Sequence, residues 1–444
     1  MDHSSLRMKI DFYKYLFFLN KNKGISLIIN LIILFISLGT LIVNEITVSN
    51  NSFLGFLLLL YSLFNVVWTL FEKYKEIKSF TGDDKKIVMN RKNVLVKDDD
   101  TVYLSEISGK SQENSQMENY STDNSIDNSV IWDRKLNRYL WNNEIELKID
   151  YNKKKKVRNF ILKNREIITP FFQYKYYNSK KNNQLFFNET KLCMSSDINS
   201  LRSYVKCYQG NYFNSFLTNE ISTSVLKRKE DATIIYDASN FFPIKYNHVD
   251  NSYSLQSIDM CEMSNHIGVS TLAITSDYYL VIRKQGASSQ QNINQFVPTG
   301  SGSCNWSDIT NKSLNETIKY AMLRELWEEN GGKKVYPEFE KYGTTKILGY
   351  FRWLQRAGKP EFVGITKLNC SLDMLTPDEI ELIDTTNKAV KDSYYLESWD
   401  DLPTIITEIE QIGNLSVPLH MCLKALKQYY NDRGMNLREF IEGV

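Results

Sequence analysis

Two long apolar runs, residues 25–43 and 53–71, stand out against an otherwise polar chain, and neither contains a charged residue. At about 1.5 Å per residue, each is just long enough for a hydrocarbon core of about 30 Å. Their connector carries only Glu45. Arg7, Lys9, Lys14, Lys21 and Lys23 precede the first run, and Lys73, Lys75 and Lys78 follow the second. This charge bias predicts a membrane hairpin with both termini cytoplasmic. The first run lacks a small-x-small cleavage site and a second run follows at once, so it does not read as a signal peptide. Asn30 and Asn65 sit inside the runs, where an amide seeks a partner, within the hairpin or in a second copy.

Further along, the apolar pattern shortens and alternates. Residues 269–275 and 278–283 form two β-prone runs joined at Ser276-Asp277, a hairpin signal, and residues 346–354 and 361–368 form a second pair around Gly358. Ile145, Leu147 and Ile149 alternate as in a strand, residues 233–236 read as another, and residues 86–104 as short strands. Residues 153–168 predict a helix. Thr376-Pro377 and Ser416-Val417-Pro418 each look like a helix start, with a capping residue ahead of proline. Residues 108–129, rich in Ser, Asn, Asp, Gln and Glu, read as a flexible segment. The aromatic run from Tyr212 to Phe216 reads as core. The predicted organisation is a tail and transmembrane α-hairpin over residues 1–79, a middle α+β region over 80–250, and an α/β domain with a mixed sheet between helices over 251–444.

The chemistry concentrates between that domain's two strand pairs. Glu316 is followed, after seven residues, by Arg324-Glu325-Leu326-Trp327-Glu328-Glu329-Asn330-Gly331. On a helix, residues three and four apart share a face, so Glu325, Glu328 and Glu329 form one stripe. Gly331 stands where a left-handed helix cap is wanted. Carboxylates gathered this tightly repel one another unless a hard cation lies between them, and oxygen-only ligands suit Mg²⁺ or Mn²⁺. Such a cation polarises a phosphoryl oxygen and activates water.

Composition narrows the field. A net charge of +2 over 444 residues gives no electrostatic case for direct DNA or RNA binding. Lys153 to Lys156 form the one dense basic run, read as a solvated face. The six cysteines have no metal-ligand spacing and read as reduced thiols. The four histidines are scattered, with no zinc or Ser-His-Asp pattern.

The stretch from Glu316 to Gly331 resembles the Nudix box, with two departures: Thr310 stands where the family has a glycine, and Gly332 where it has an aliphatic residue. Gly300-Ser301-Gly302-Ser303 is a glycine-rich approach displaced upstream. The resemblance implies that Glu325, Glu328 and Glu329 hold the metal, with Arg324 orienting them and Glu316 and Glu325 in the catalytic set. The fusion of two apolar runs to such a domain resembles the two-transmembrane Nudix effectors of bacterial cyclic-oligonucleotide antiphage signalling. That likeness implies a multi-pass protein of the bacterial inner membrane and a cyclic di- or trinucleotide made by a partner nucleotidyltransferase. It also implies a homo-oligomer that breaches the membrane to abort infection. Arg283, Arg352 and Trp353, with Lys284, Arg356, Tyr350 and Trp306 beside them, are candidate nucleotide contacts. The alternatives are a membrane-anchored Nudix hydrolase acting on NAD or dinucleotides, for which Glu379 and Glu381 are downstream acids, and a scaffold with an inactive Nudix fold.

Overall fold

The computed structural model describes residues 3–20, 28–39, 42, 52–81, 84–89, 101–103, 129–248, 252–285, 295–376 and 392–443. Its centre is a mixed nine-stranded sheet. Strand Gly268–Ile274 lies in the middle, paired in parallel with Lys359–Leu368 on one side and antiparallel with Tyr279–Lys284 on the other. Gly343–Trp353 pairs antiparallel with Lys359–Leu368. Beyond it the sheet takes in Ser129–Ile131 and Thr101–Tyr103, two strands from the chain's middle third. The short strand Gly300–Ser303 runs along the start of Gly268–Ile274.

Both expected hairpins form. The first turns through Tyr278 (φ 63°) and the second through Ala357 and Gly358 (φ 50° and 71°). A left-handed pair at 357–358 reverses the chain tightly, which glycine at the second position eases. Each sheet face is apolar and covered. Leu272, Ile282, Val363 and Ile365 pack against helices Leu402–Gln411 and Val417–Glu442. On the opposite face Ala273, Val281, Leu323 and Leu326 bring in helix Leu314–Glu329. Ser416 caps helix Val417–Glu442 through the Leu419 amide, with Pro418 in its first turn, as the sequence signals. The helix start at Thr376-Pro377 and the polar segment 108–129 fall almost wholly outside the described residues.

The middle region is helical and sheet-forming by turns. Strand Thr190–Met194 pairs with Tyr204–Asn211 and also touches the central sheet: the Leu192 amide donates to the Cys304 carbonyl and the Ile267 amide to the Leu192 carbonyl. Helices Lys153–Lys163 and Arg165–Lys181 meet at Asn164, splitting the single helix expected there. The aromatic run 212–220 forms a short helix and a π-helical turn whose Phe213, Phe216 and Leu217 are buried. Residues expected to be a cytoplasmic tail form helix His3–Leu19, which belongs to this core: Phe12 stacks on Tyr176 at 3.7 Å, and the Tyr15 hydroxyl donates to Asn214 Oδ1 at 2.6 Å. All six cysteines are buried and unpaired.

The transmembrane α-hairpin is corrected. Among the described residues, no helix is long and apolar enough to cross a membrane. The first run is described as helix over residues 28–39 and at residue 42. The second lies within helix Ser52–Thr81, which packs along helix Arg165–Lys181, continues past the apolar stretch through Glu72 and Lys75, and leaves Phe64, Val67 and Trp68 exposed. Windowed hydropathy registers apolar density but not where a helix begins, ends or packs. The α/β part of the expected fold class fits the mixed sheet. The multi-pass inner-membrane localisation, drawn from the same two runs, is overturned with the hairpin.

One buried histidine ties this fold to pH. Burial pushes His420, on helix Val417–Glu442, down to about 4 from an ordinary 6.5. The unfolded chain therefore binds the extra proton first, and the neutral imidazole's contribution is complete above about pH 6.5 and lost as pH falls towards 4. Denaturant unfolding from pH 7 to pH 4 should show a loss of stability that His420→Gln reduces by roughly 2–3 kcal/mol across that window. An unchanged slope in the variant would mean that His420 does not titrate this way.

Candidate active site

Helix Leu314–Glu329 begins at Ser313, whose hydroxyl accepts from the Glu316 amide at 3.2 Å, and ends at Asn330 with Gly331 in the left-handed region (φ 70°). The box pattern thus becomes one helix, capped at its end by Gly331 where the sequence places it and at its start by Ser313, which the sequence reading did not name. Its inner flank, Ile318, Ala321, Met322 and Leu326, is buried, which turns the carboxylate stripe towards strand Gly300–Ser303.

Arg324 organises that stripe. Its guanidinium donates to both carboxylate oxygens of Asp308 at 2.9 Å, to Glu325 Oε1 at 3.0 Å, to Glu328 Oε2 at 2.9 Å and to the Ser303 carbonyl at 3.2 Å. Burial works against its charge, but Glu325, Asp308 and Glu328 together hold it firmly protonated. Strand amides complete the arrangement: Ser303 N donates to Glu325 Oε1 at 3.1 Å and Ser301 N to Glu329 Oε2 at 3.0 Å. Residues 301 and 303 are two apart on a strand, so both amides face the helix. The displaced glycines have a steric reason. A Cβ on Gly302 would stand 2.2 Å from the Glu325 carboxyl carbon, and one on Gly300 would stand 2.7 Å from the Leu326 Cα.

The departure at Gly332 is explained similarly, since a Cβ there would meet the Trp327 ring at 2.2 Å. Nothing in the structure explains Thr310.

Glu325, Glu328 and Glu329 line a cavity of about 470 Å³. Other parts of its lining come from outside the box: Lys191 and Tyr212 from the middle region, His266 ahead of the central strand, and Trp353, Arg356, Lys359 and Glu361 from the second hairpin. Lys191 Nζ donates to Glu189 at 2.9 Å and to Asn305 Oδ1 at 2.7 Å, joining the middle region to the turn that carries Asp308. Lys359 and Glu361 form a buried ion pair. Arg356 lies over the Trp353 ring, 4.1 Å from its centroid.

The other sequence candidates are placed elsewhere. Glu316, at the helix start, pairs with Lys319 at 2.7 Å and is half exposed. Arg283 is buried and bonds Asn330 at 2.8 Å and Asp392 at 3.2 Å; Arg352 is buried against the Gly358 carbonyl and Asp197. Tyr350 packs on Phe362, Lys284 lies near Phe296, and neither they nor Trp306 line the cavity. Trp353 and Arg356 do. Glu379 and Glu381 lie outside the described residues.

Sequence reasoning missed Asp308, Lys191, His266, Lys359 and Glu361. Asp308 had a readable signal, the Asn305-x-x-Asp308 capping pattern, in which Asn305 N donates to Asp308 Oδ2 at 2.7 Å. Lys359 and Glu361 alternate on one face at the buried start of a strand, a placement that costs free energy unless the charges are paired.

The donor set suits a hard cation in kind, being all carboxylate oxygen on one cavity wall. Burial raises the Glu325 carboxyl above its usual range, against the pull of Arg324 and Lys191, so a further cation at this wall would relieve an under-compensated charge. Among the described residues, however, no three acidic, histidine or cysteine side chains gather closely enough to share one ion. Glu328, with its side chain 45% exposed, is turned to Arg324.

Compared with known proteins, the chain matches no family profile and no curated sequence. Among solved structures it is similar to DR0079 from Deinococcus radiodurans, at 12% identity and a TM-score of 0.24 over 37% of this chain and 83% of that one. It is also similar to a MutT protein from Methanosarcina mazei Go1, at 14% identity and a TM-score of 0.23 over 38% of this chain and 95% of that one.

The two glycines make separable predictions. Gly302→Ala meets the movable end of Glu325, which can swing aside, and should change Tm little. Gly300→Ala meets helix backbone and should destabilise the fold by roughly 1–3 kcal/mol. Equal effects from both on Tm would refute this division.

Proposed function

We propose that the chain is a Nudix-like hydrolase that cleaves a phosphoanhydride bond with a divalent cation. What carries this reading is the Arg324 network, which fixes Glu325 and Glu328 on one cavity wall beside Glu329. Glu325, Glu328 and Glu329 would hold Mg²⁺ or Mn²⁺, which when bound polarises phosphoryl oxygens and lowers the pKa of water. The chain's own part is positional. Asp308 locks the Arg324 guanidinium in a fork, and Arg324 in turn sets the Glu325 and Glu328 rotamers. The Ser301 and Ser303 amides hold Glu329 and Glu325 against the strand, so these carboxylates need little reorganisation when a cation arrives. Glu328, the most exposed of the three, is the ligand that must leave Arg324 to complete the set.

A second reading, in which the cavity binds a cyclic di- or trinucleotide without cleaving it and serves as a receptor, is favoured by the lack, among the described residues, of three acidic side chains close enough to share one ion. The two are separated by one experiment on the full chain. Incubation with NAD, diadenosine diphosphate and a panel of cyclic di- and trinucleotides in Mg²⁺ is followed by mass spectrometry of the recovered ligand. The hydrolase reading expects cleavage at the diphosphate, abolished by EDTA and reduced at least a hundredfold in a Glu328→Gln/Glu329→Gln double variant. Saturable binding of an intact cyclic nucleotide, without turnover of any substrate, would favour the receptor. Turnover undiminished in the double variant would remove these carboxylates from the metal site.

A further inference from the structure

A second concavity shares no lining residue with the carboxylate cavity. It encloses about 230 Å³ between helix Arg134–Asn142 and helix Val417–Glu442, and Arg134, Arg138, Lys424 and Lys427 line it with Asp432 as its one acid. Arg134 and Arg138 are one turn apart on the first helix. Lys424, Lys427 and Gln428 follow at helical spacing on the second, so the two basic faces turn to the same space.

The charges there do not balance. Arg138 donates to both carboxylate oxygens of Asp432, at 2.9 and 3.0 Å, which accounts for that acid. Lys427 approaches Glu410 only to 4.0 Å. Among the described residues, the side chains of Arg134 and Lys424 have neither a hydrogen bond nor an ion pair. Arg134 and Lys427 are exposed and Lys424 is half-buried, so these cations are accessible to a solute. Burial pushes the Lys424 ammonium below its ordinary value, and Arg134 and Lys427 add to this against the pull of Glu410. Like charges crowded in this way are relieved by an anion among them. The frame that crowds them is fixed. Just ahead of the first helix, Trp132 Nε1 donates to Gln428 Oε1 at 3.1 Å, and the helix itself is tied to the central sheet by Asn137, which accepts from the Tyr350 amide at 2.6 Å, and by Trp141, which donates to the Leu348 carbonyl at 2.8 Å. Anchored helices need little reorganisation to receive a ligand.

We infer that this concavity is a binding site for a small inorganic polyanion of the phosphate class, orthophosphate or pyrophosphate, held by Arg134, Lys424 and Lys427 between the two helices. The Arg134 guanidinium offers a planar fork to two phosphate oxygens, and the two ammonium groups act as point charges on the rest. No aromatic side chain lines the concavity, so nothing in it would stack on a base. Three cations without a close acid favour a multiply charged ligand over a single carboxylate. The site is independent of the hydrolase reading, because it involves neither the box carboxylates nor a divalent cation.

The test uses the full chain stripped of divalent ions, titrated by calorimetry with pyrophosphate, orthophosphate and sulfate at one fixed ionic strength. Pyrophosphate should bind most tightly and sulfate most weakly. Arg134→Gln and Lys424→Met, which keep much of each side chain's stem, should each weaken pyrophosphate about tenfold, the loss of one charge-assisted contact. Lys155→Met removes the same charge from an exposed position of the 153–156 basic run and should leave binding unchanged, as should Glu328→Gln/Glu329→Gln. Thermal unfolding checks that each variant is folded; if one of the two concavity variants unfolds, the other decides alone. Absence of pyrophosphate binding, binding undiminished by the concavity variants, or an equal loss in Lys155→Met overturns the site. Sulfate bound as tightly as pyrophosphate would mean an adventitious ion only, and overturns it too.

Discussion

A single guanidinium holds the site together. Arg324 satisfies Asp308, Glu325, Glu328 and the Ser303 carbonyl at once, at distances of 2.9 to 3.2 Å. Without it, three acidic groups would face one another in a partly desolvated place, where mutual repulsion is strong. With it, the box helix can press so closely on strand Gly300–Ser303 that side chains at 300 and 302 have no room. Close approach, strand amides on carboxylates and the glycine-rich strand are one solution to one electrostatic problem.

The same constraint extends outward through Asp308 to Asn305, and from Asn305 to Lys191 and Glu189 in the middle region. Strand Thr190–Met194 is tied on one edge to the 204–211 strand and on the other to backbone at 265–267 and 304. The middle region is therefore joined to the central sheet by backbone hydrogen bonds as well as by packing, and the cavity has walls from both.

How much of this was legible in the sequence varied with the range of the interaction. The box helix, its Gly331 cap and both hairpins follow from local spacing and turn chemistry, and the structure places them where the residues indicate. Trp353 and Arg356 were named and do reach the cavity. Arg283 and Arg352 were equally basic and equally near the sheet, yet they point into buried bonds with Asn330, Asp392 and Asp197, partners up to 155 positions away. Lys191 and His266 gave no local signal at all, because their importance comes from long-range backbone pairing. The apolar runs misled for a related reason. Residue polarity reports affinity for an apolar environment, but it does not report what packs beside the helix that forms. Helix His3–Leu19, read as a tail, belongs to the core through Phe12 and Tyr15, whose partners Tyr176 and Asn214 lie far along the chain.

That N-terminal helix reaches further than its core contacts. Arg7 lies over the Phe187 ring at 4.4 Å and approaches Glu189 at 3.6 Å, while Asp11 accepts from the Asn188 amide at 3.0 Å. Phe187 and Glu189 belong to the cavity lining. Helix His3–Leu19 thus contacts residues of a cavity whose lining also includes Glu325, Trp353 and Glu361, more than three hundred residues further along the chain. Displacing helix His3–Leu19 would therefore disturb the 187–189 part of the cavity lining together with the aromatic core it packs into.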